Sequence, residues 1–323
     1  MRATWENRKY DVGMVKYAMN LQLWTRNVLD DQCLPLLEKL KSMGFDGVEI
    51  PISDPDVRGY AALGRSLDDL GLERTAVTVS RREMNPISPD AAIRARATGN
   101  LKRVLDCCSA GGMQLLVGPY YAAPGEFTGS GPTREEWGHG LQCMRAVAEH
   151  GRNVGVGLAL EFLNRFETYF LTCAADTDRF VREIGVPGCG GLYDTFHANI
   201  EEKSVALAIA ALGGNLRHVH ISENDRSTPG QGGVAWEETF RALRAIGYRG
   251  WLTIEAFGRA TPELSATRKI WRAMYVTEEQ LARDGLAFMK RMARAHGLDT
   301  AVQPSGWRMQ ADSPSPATAD RSR

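Results

Sequence analysis

Gly190-Gly191-Leu192-Tyr193-Asp194 is a short, mostly apolar run that stops on a carboxylate. A run of that length, with glycine before it and polar residues after it, reads as a buried strand. Three more segments in the second half share its form: Leu158-Ala159-Leu160-Glu161, Leu216-Arg217-His218-Val219-His220 and Leu252-Thr253-Ile254-Glu255. Each closes on a side chain able to ligate a metal. Every interval between them leaves room for one helix and two loops. Parallel strands need crossovers of that kind, and their carboxyl ends then share one side.

The rhythm extends outward from there. Val15 to Leu21, Gly47 to Pro51, Glu73 to Val79 and Gln114 to Val117 read as four earlier strands. The first of these is followed by a helix over Leu34 to Met43, with Leu36, Leu37, Leu40 and Met43 on one face and Gly44 to close it. A second helix spans Tyr60 to Leu70. Ser88-Pro89-Asp90 marks the start of a third, with Ser88 as N-cap and Pro89 in the first turn. A Gly/Pro-rich loop over Gly118 to Pro132 precedes a fourth, over Glu135 to Asn153. Helices over Ala174 to Ile184, Val205 to Leu212 and Trp236 to Ile246 separate the later strands. A Thr277/Gln280 capping box opens the last helix, which ends near Gly297. Eight strand–helix pairs predict an α/β fold, a (β/α)8 TIM barrel in one domain over 14–298, the size class of about 250 residues such a barrel occupies. Residues 1–13 read as a polar extension, and the Ser/Pro/Ala/Asp-rich 299–323 as a mobile tail.

Composition narrows the function class. Lys+Arg and Asp+Glu are both 39, so the chain lacks the basic excess of a non-specific nucleic-acid binder. Cys33, Cys107, Cys108, Cys143, Cys173 and Cys189 form no CxxC pair, as expected of thiols in a reducing compartment. No apolar leader and no run of about 18 apolar residues is present. A cytoplasmic protein without a membrane partner is the expectation.

Taken singly, a strand-end Asp or Glu often caps a helix, and a strand-end His is often just hydrogen-bonded. Together, Glu161, Asp194, His220 and Glu255 would meet at one mouth of the barrel. Three carboxylates that converge without a cation repel one another and rise in pKa; a divalent ion removes the conflict. Three oxygen donors and one imidazole suit Mn2+, Co2+ or Mg2+ better than a thiolate-rich zinc site does. Glu167 and His197 fall in loops on the same side. His197 can serve the site or pack on Phe196. Arg226 can reach the same mouth or stand as a solvated loop arginine.

These segments resemble the D-tagatose and D-psicose (allulose) 3-epimerases, sugar (ketose) 3-epimerases within the xylose isomerase-like barrels. Glu-Phe-Leu-Asn-Arg-Phe-Glu at 161–167, Asp-Thr-Phe-His-Ala-Asn-Ile-Glu-Glu at 194–202, His-Val-His-Ile-Ser-Glu-Asn-Asp-Arg at 218–226 and Glu-Ala-Phe at 255–257 carry the likeness, with Pro229-Gly230, Trp236, Asn85 and Ser88-Pro89-Asp90. The resemblance implies metal ligation by Glu161, Asp194, His220 and Glu255, and an acid/base pair of Glu161 and Glu255. It implies substrate contacts from Glu167, His197 and Arg226. It implies one divalent ion, with Mn2+ ahead of Co2+ or Mg2+, and a homo-oligomer, dimer or tetramer. The implied reaction is C3 epimerisation of a free ketose: one glutamate takes the proton, a metal-stabilised cis-enediolate forms, and the other glutamate returns a proton from the opposite face.

Two stretches depart from that family. Ser80-Arg81-Arg82-Glu83 follows the third strand, so Arg81 and Arg82 either hold an anionic substrate or form a solvated rim. Leu21-Gln22-Leu23-Trp24 follows the first; Leu23 and Trp24 either wall a sugar face or pack on the first helix. The same proton abstraction would also serve an aldose–ketose isomerase, or a lyase or deglycosidase acting on 3-keto-glycosides, with a hetero-subunit in the last case. A non-catalytic sugar-binding barrel would need neither Glu161 nor Glu255.

Overall fold

The apolar runs form eight parallel strands: β1 (Lys16–Asn20), β2 (Gly47–Pro51), β3 (Glu73–Val77), β4 (Leu115–Gly118), β5 (Gly157–Glu161), β6 (Cys189–Asp194), β7 (Leu216–Ile221) and β8 (Trp251–Ile254). Each pairs with the next, and β8 pairs with β1, so the sheet closes into a barrel. This computed structural model describes residues 14–30 and 33–299. The expected extension over 1–13, and the expected tail apart from Asp299, lie outside the described residues. Among the described residues, no helix is long and apolar enough to cross a membrane.

Outside the barrel run α1 (Cys33–Met43), α2 (Val57–Leu70), α3 (Ala91–Ala110), α4 (Arg134–Val154), α5 (Ala174–Ile184), α6 (Thr195–Glu201), α7 (Val205–Leu212), α8 (Trp236–Ala245), α9 (Pro262–Arg268) and α10 (Glu278–Ala295). Eight of these complete the expected strand–helix pairs. Two, α6 and α9, are additions that the sequence reading did not anticipate, and both lie in loops at the carboxyl ends of strands. The start of α3 also differs from expectation. Asp90, not Ser88, is the N-cap and accepts from the Ala92 N–H at 2.7 Å. Ser88 accepts from Asp90 N instead, because Pro89 fixes an extended entry ahead of the helix. The Thr277 cap of α10 holds on one side, taking the Gln280 N–H at 3.1 Å. The Gln280 side chain, however, returns to Val276 N, one residue before the cap.

Side chains alternate across each strand, and here the alternation separates two cores. Leu158, Leu160, Tyr193, Val219, Ile221, Leu252 and Ile254 point outward into the shell beneath the helices. At about 1.5–3 kcal/mol for each such side chain, that shell is the main favourable term for closing the barrel. Among the inward side chains of β3 to β6, Val77, Val117, Ala159 and Leu192 form a separate apolar cluster. The inward positions of β7, β8, β1 and β2 are polar instead: His218, His220, Thr253, Asn20 and Glu49, all buried. Thr75, Glu161 and Asp194 carry that polar set onto β3, β5 and β6, so it surrounds the small apolar cluster toward the strands' carboxyl ends. Gly118, at the end of β4, has φ +120°, and a Cβ there would strike the Thr78 carbonyl oxygen, so only glycine lets β4 leave the barrel on this path.

Candidate metal centre and active site

The four expected ligands do converge. Glu161 and Asp194 are the last residues of β5 and β6, His220 is the penultimate residue of β7, and Glu255 directly follows β8. Register sets two of them side by side, since Asp194 pairs with His220 across β6 and β7. One donor atom from each of the four lies within 4.8 Å of every other, and all four residues are buried. Nδ1 of His220 is 3.4 Å from Glu161 Oε1, 3.7 Å from Glu255 Oε1 and 3.8 Å from Asp194 Oδ2. Oxygen and nitrogen ligands of a hard divalent ion sit about 2.1 Å from it, so neighbouring ligands fall about 3–3.5 Å apart and opposed ones about 4.2 Å. The cluster has those dimensions. Asp194 fills both roles open to a strand-end carboxylate, for its Oδ1 caps α6 through Phe196 N at 2.7 Å while Oδ2 faces the cluster.

Two atoms of the cluster are orphaned. Glu161 Oε1 and His220 Nδ1 are buried and have no hydrogen-bond partner among the described residues. Such groups cost free energy unless something satisfies them. The charges also fail to balance. Arg226 reaches Asp194 Oδ2 at 2.9 Å and Glu255 Oε2 at 2.6 Å, but no arginine or lysine is ion-paired to Glu161 among the described residues. Burial first, and then the Glu255 and Asp194 carboxylates, push the Glu161 carboxyl up to about 8. Burial and Asp194 also raise Glu255, against the pull of His220 and Arg226. Burial works against the Asp194 carboxylate too, yet Arg226 and the histidines hold it well below its ordinary range. A divalent cation among these donors would satisfy both orphans and neutralise the third carboxylate, so the donor set fits one.

Around the cluster stand the three expected contact residues. Arg226 is buried, which removes the solvated-loop reading. Its backbone has φ +62°, unusual for a side chain with a Cβ, and is pinned by Arg226 N to Glu223 O and Phe257 N to Arg226 O, both 3.0 Å. Its guanidinium lies over Phe196 at 3.8 Å and Phe257 at 5.1 Å. His197 meets both readings at once: its ring sits edge-on to Phe196 at 5.0 Å, and its Nε2 lies 3.8 Å from Glu161 Oε1. Burial, with Arg226 beside it, holds the imidazole down at about 4, so it is neutral near pH 7. Asn164 donates its backbone N–H (3.0 Å) and its side-chain amide (2.9 Å) to Nδ1, while Arg226 Nη2 lies 3.0 Å from Nε2, so donors flank both ring nitrogens. Glu167 accepts from Asn164 Nδ2 at 3.0 Å and from Arg268 Nη1 at 2.9 Å.

Several partners escaped the sequence reading. Arg268 ends α9, an element that was not anticipated. Glu49 and His218 lie below the four ligands, and a signal for both was present: a lone carboxylate between Val48 and Ile50, and a histidine two residues before His220 and hence on its face. The departures resolve unequally. Arg82 is 82% exposed and pairs with Glu126, and Arg81 is exposed on the same turn, as a solvated rim requires. Leu23 is buried in the outer core, and Trp24 packs half-buried against it.

With this geometry, similarity to known proteins becomes informative. Residues 37–292 match the profile of the xylose isomerase-like TIM barrels. The chain is 30% identical to a probable ketose 3-epimerase of Synechocystis over 86% of its own length and 96% of that protein's. It is 32% identical to an L-ribulose 3-epimerase of Methylomonas, covering 77% of this chain and 87% of the other. A solved L-ribulose 3-epimerase structure superposes with a TM-score of 0.83 at 30% identity, over 88% of this chain and 96% of that one.

Proposed function

Because this chain belongs to the xylose isomerase-like TIM barrels and, within them, to the ketose 3-epimerases, an isomerase class, we propose that it epimerises a free ketose at C3 with the help of one divalent cation. The observation that carries this reading is the convergence of Glu161, Asp194, His220 and Glu255 around two orphaned polar atoms. Those four residues would hold the ion, with Mn2+ the first choice and Co2+ or Mg2+ the alternatives. When bound, the ion would polarise the ketose carbonyl and offset the negative charge that develops on its oxygen.

The remaining steps belong to side chains. Glu161 and Glu255 are the two carboxylates of the cluster that burial holds above their ordinary range, so each is disposed to take up a proton. In the proposed reaction one accepts the C3 proton of the sugar and the other delivers a proton to the planar enediol from the opposite face. A single base would return the proton to the face it came from. His197 turns its Nε2 edge, beside Arg226, toward a sugar oxygen. Arg226 donates to another. Glu167, held by Asn164 and Arg268, accepts from a hydroxyl. The expected homo-oligomer stays part of this proposal, supported by Trp271 (72% exposed) and Val276 (87% exposed) between α9 and α10. Sedimentation velocity tests it.

The deciding experiment is solvent exchange. Protein loaded with Mn2+ or Co2+ is incubated in D2O with fructose, allulose, tagatose, sorbose and ribulose, and deuterium is located by NMR after removal of the metal. Label at C3 with formation of the epimer is the expected result. Label at C1 or C2 would make the protein an aldose–ketose isomerase, and no label on any free ketose would overturn the reading in favour of a glycosidic substrate or a binding protein.

A further inference from the structure

Glu49 sits in the middle of β2, separated from β7 in the closed sheet by β8 and β1, and is fully buried. Its carboxylate is surrounded by donors. Oε1 accepts from Asn20 Nδ2 at 2.9 Å and lies 2.8 Å from His220 Nε2; Oε2 accepts from Thr75 Oγ1 at 3.0 Å. His218 Nε2 approaches Oε2 to 2.9 Å but off the hydrogen-bond axis, and burial lowers the pKa of its imidazole. Asn20 and Thr75 are the strand neighbours of Glu49 in register on β1 and β3, which fixes the carboxylate from both sides. His220 is the one ligand of the cluster that this carboxylate touches at hydrogen-bond distance.

We infer that Glu49 is a positioning residue for the metal centre: by taking the Nε2–H of His220 across the lumen, it turns the Nδ1 lone pair toward Glu161, Asp194 and Glu255. A neutral imidazole has one donor and one acceptor nitrogen, so a carboxylate at Nε2 decides which nitrogen can ligate. The same contact holds the ring plane and makes the imidazole a stronger ligand. Glu49, His218 and His220 also group within reach of one ion, but both Glu49 oxygens are already taken by the Asn20 and Thr75 donors. His218 stays on the same oxygen pair as the second imidazole and closes the floor of the site. This inference rests on the cation proposed above.

The test is a Mn2+ titration of apo-protein, read by the EPR signal of free Mn2+, beside the melting temperature of the same apo-protein. Wild type should bind one equivalent. Glu49→Gln keeps the shape and one acceptor oxygen but removes the charge, and should weaken Kd about 10- to 100-fold, the range seen when such an outer partner is lost. A Kd within about twofold of wild type, with or without a lower melting temperature, would show a purely structural carboxylate and overturn the inference. Wild type that binds no Mn2+ would overturn the proposed function as well, which separates the two failures. If Glu49→Gln does not fold, 15N-histidine NMR of the wild type loaded with diamagnetic Mg2+ decides. A slowly exchanging proton on His220 Nε2 is expected, and a proton on Nδ1 overturns the inference.

Discussion

His220 Nδ1 and Glu161 Oε1 face each other at 3.4 Å, deep in the barrel, and neither has a hydrogen-bond partner among the described residues. Two unsatisfied polar atoms at that distance are poorly explained as core packing and well explained as half of a ligand sphere. Their protonation has a consequence for metal binding. Without a cation, Glu161 is protonated below about 8, and the surrounding carboxylates raise the His220 imidazole well above its ordinary value in spite of burial. A metal ligand must give up its proton. Mn2+ binding near pH 7 should therefore release protons, and affinity should strengthen as pH rises toward about 8. Calorimetry in two buffers of different ionisation enthalpy checks this; an equal heat in both would contradict it.

Glu161→Gln and Glu255→Gln should each cost about 10²–10⁴-fold in the exchange rate, the usual contribution of a positioned acid or base. Either change also removes a carboxylate ligand, so rates must be compared at saturating metal. A loss that vanishes at high Mn2+ would assign the residue to metal binding alone.

Arg268→Met should raise KM about tenfold and leave Mn2+ affinity unchanged. Arg268 does not touch the four ligands; it holds Glu167 at 2.9 Å while lying over Phe257 at 5.0 Å. Loss of that anchor frees Glu167 to swing, a cost of about 1–2 kcal/mol for a hydrogen bond to a charged group. Initial-rate kinetics on the exchanging ketose, beside the Mn2+ titration, would separate the two effects.

Glu201 offers a pH test away from the metal. It ties α6, which carries His197, to the β5 loop through the Arg165 backbone N–H at 2.8 Å and the Arg165 guanidinium at 2.9 Å. Burial opposes ionisation, but these bonds hold the carboxyl below its ordinary value. The stabilisation is then complete above about pH 4.5 and fades as pH falls through the lower folded value. Melting temperatures between about pH 6 and pH 3 should fall less steeply in Glu201→Gln than in wild type. Parallel slopes would contradict the assignment.

Gly118→Ala should destabilise the fold by about 2 kcal/mol or more, because the left-handed backbone and the Thr78 carbonyl both resist a Cβ. Thermal melting measures it.

The barrel and its four converging residues were legible because strand-end ligands combine two strong signals, a buried apolar run and a polar stop. α6 was not legible: its seven residues begin on the Asp194 carboxylate itself and lack an apolar stripe long enough to register. α9 had a weak sign in Pro262 at its first turn, but its N-cap Thr261 makes no side-chain bond to it. Ser88 was misread as a cap because serine before proline satisfies the local rule, while Asp90 sits where the backbone leaves the extended region. Glu49 and His218 lie inside β2 and β7, where a polar residue carries no local stop signal. Glu49 and His220 lie 171 positions apart in sequence, and only barrel closure brings β2 within reach of β7 across the lumen.

All four converging residues come from β5 to β8, whereas the barrel's first half contributes the rim of Arg81 and Arg82 and the turn at Trp24. The proposed ligands and the proposed sugar contacts thus share one stretch of the gene, with Glu49 on β2 reaching them from the other. The exposed rim at Arg81 and Arg82 can change without displacing any of the four, whereas recombination upstream of Gly157 must bring a Glu49, with its Asn20 and Thr75 partners, that still meets His220.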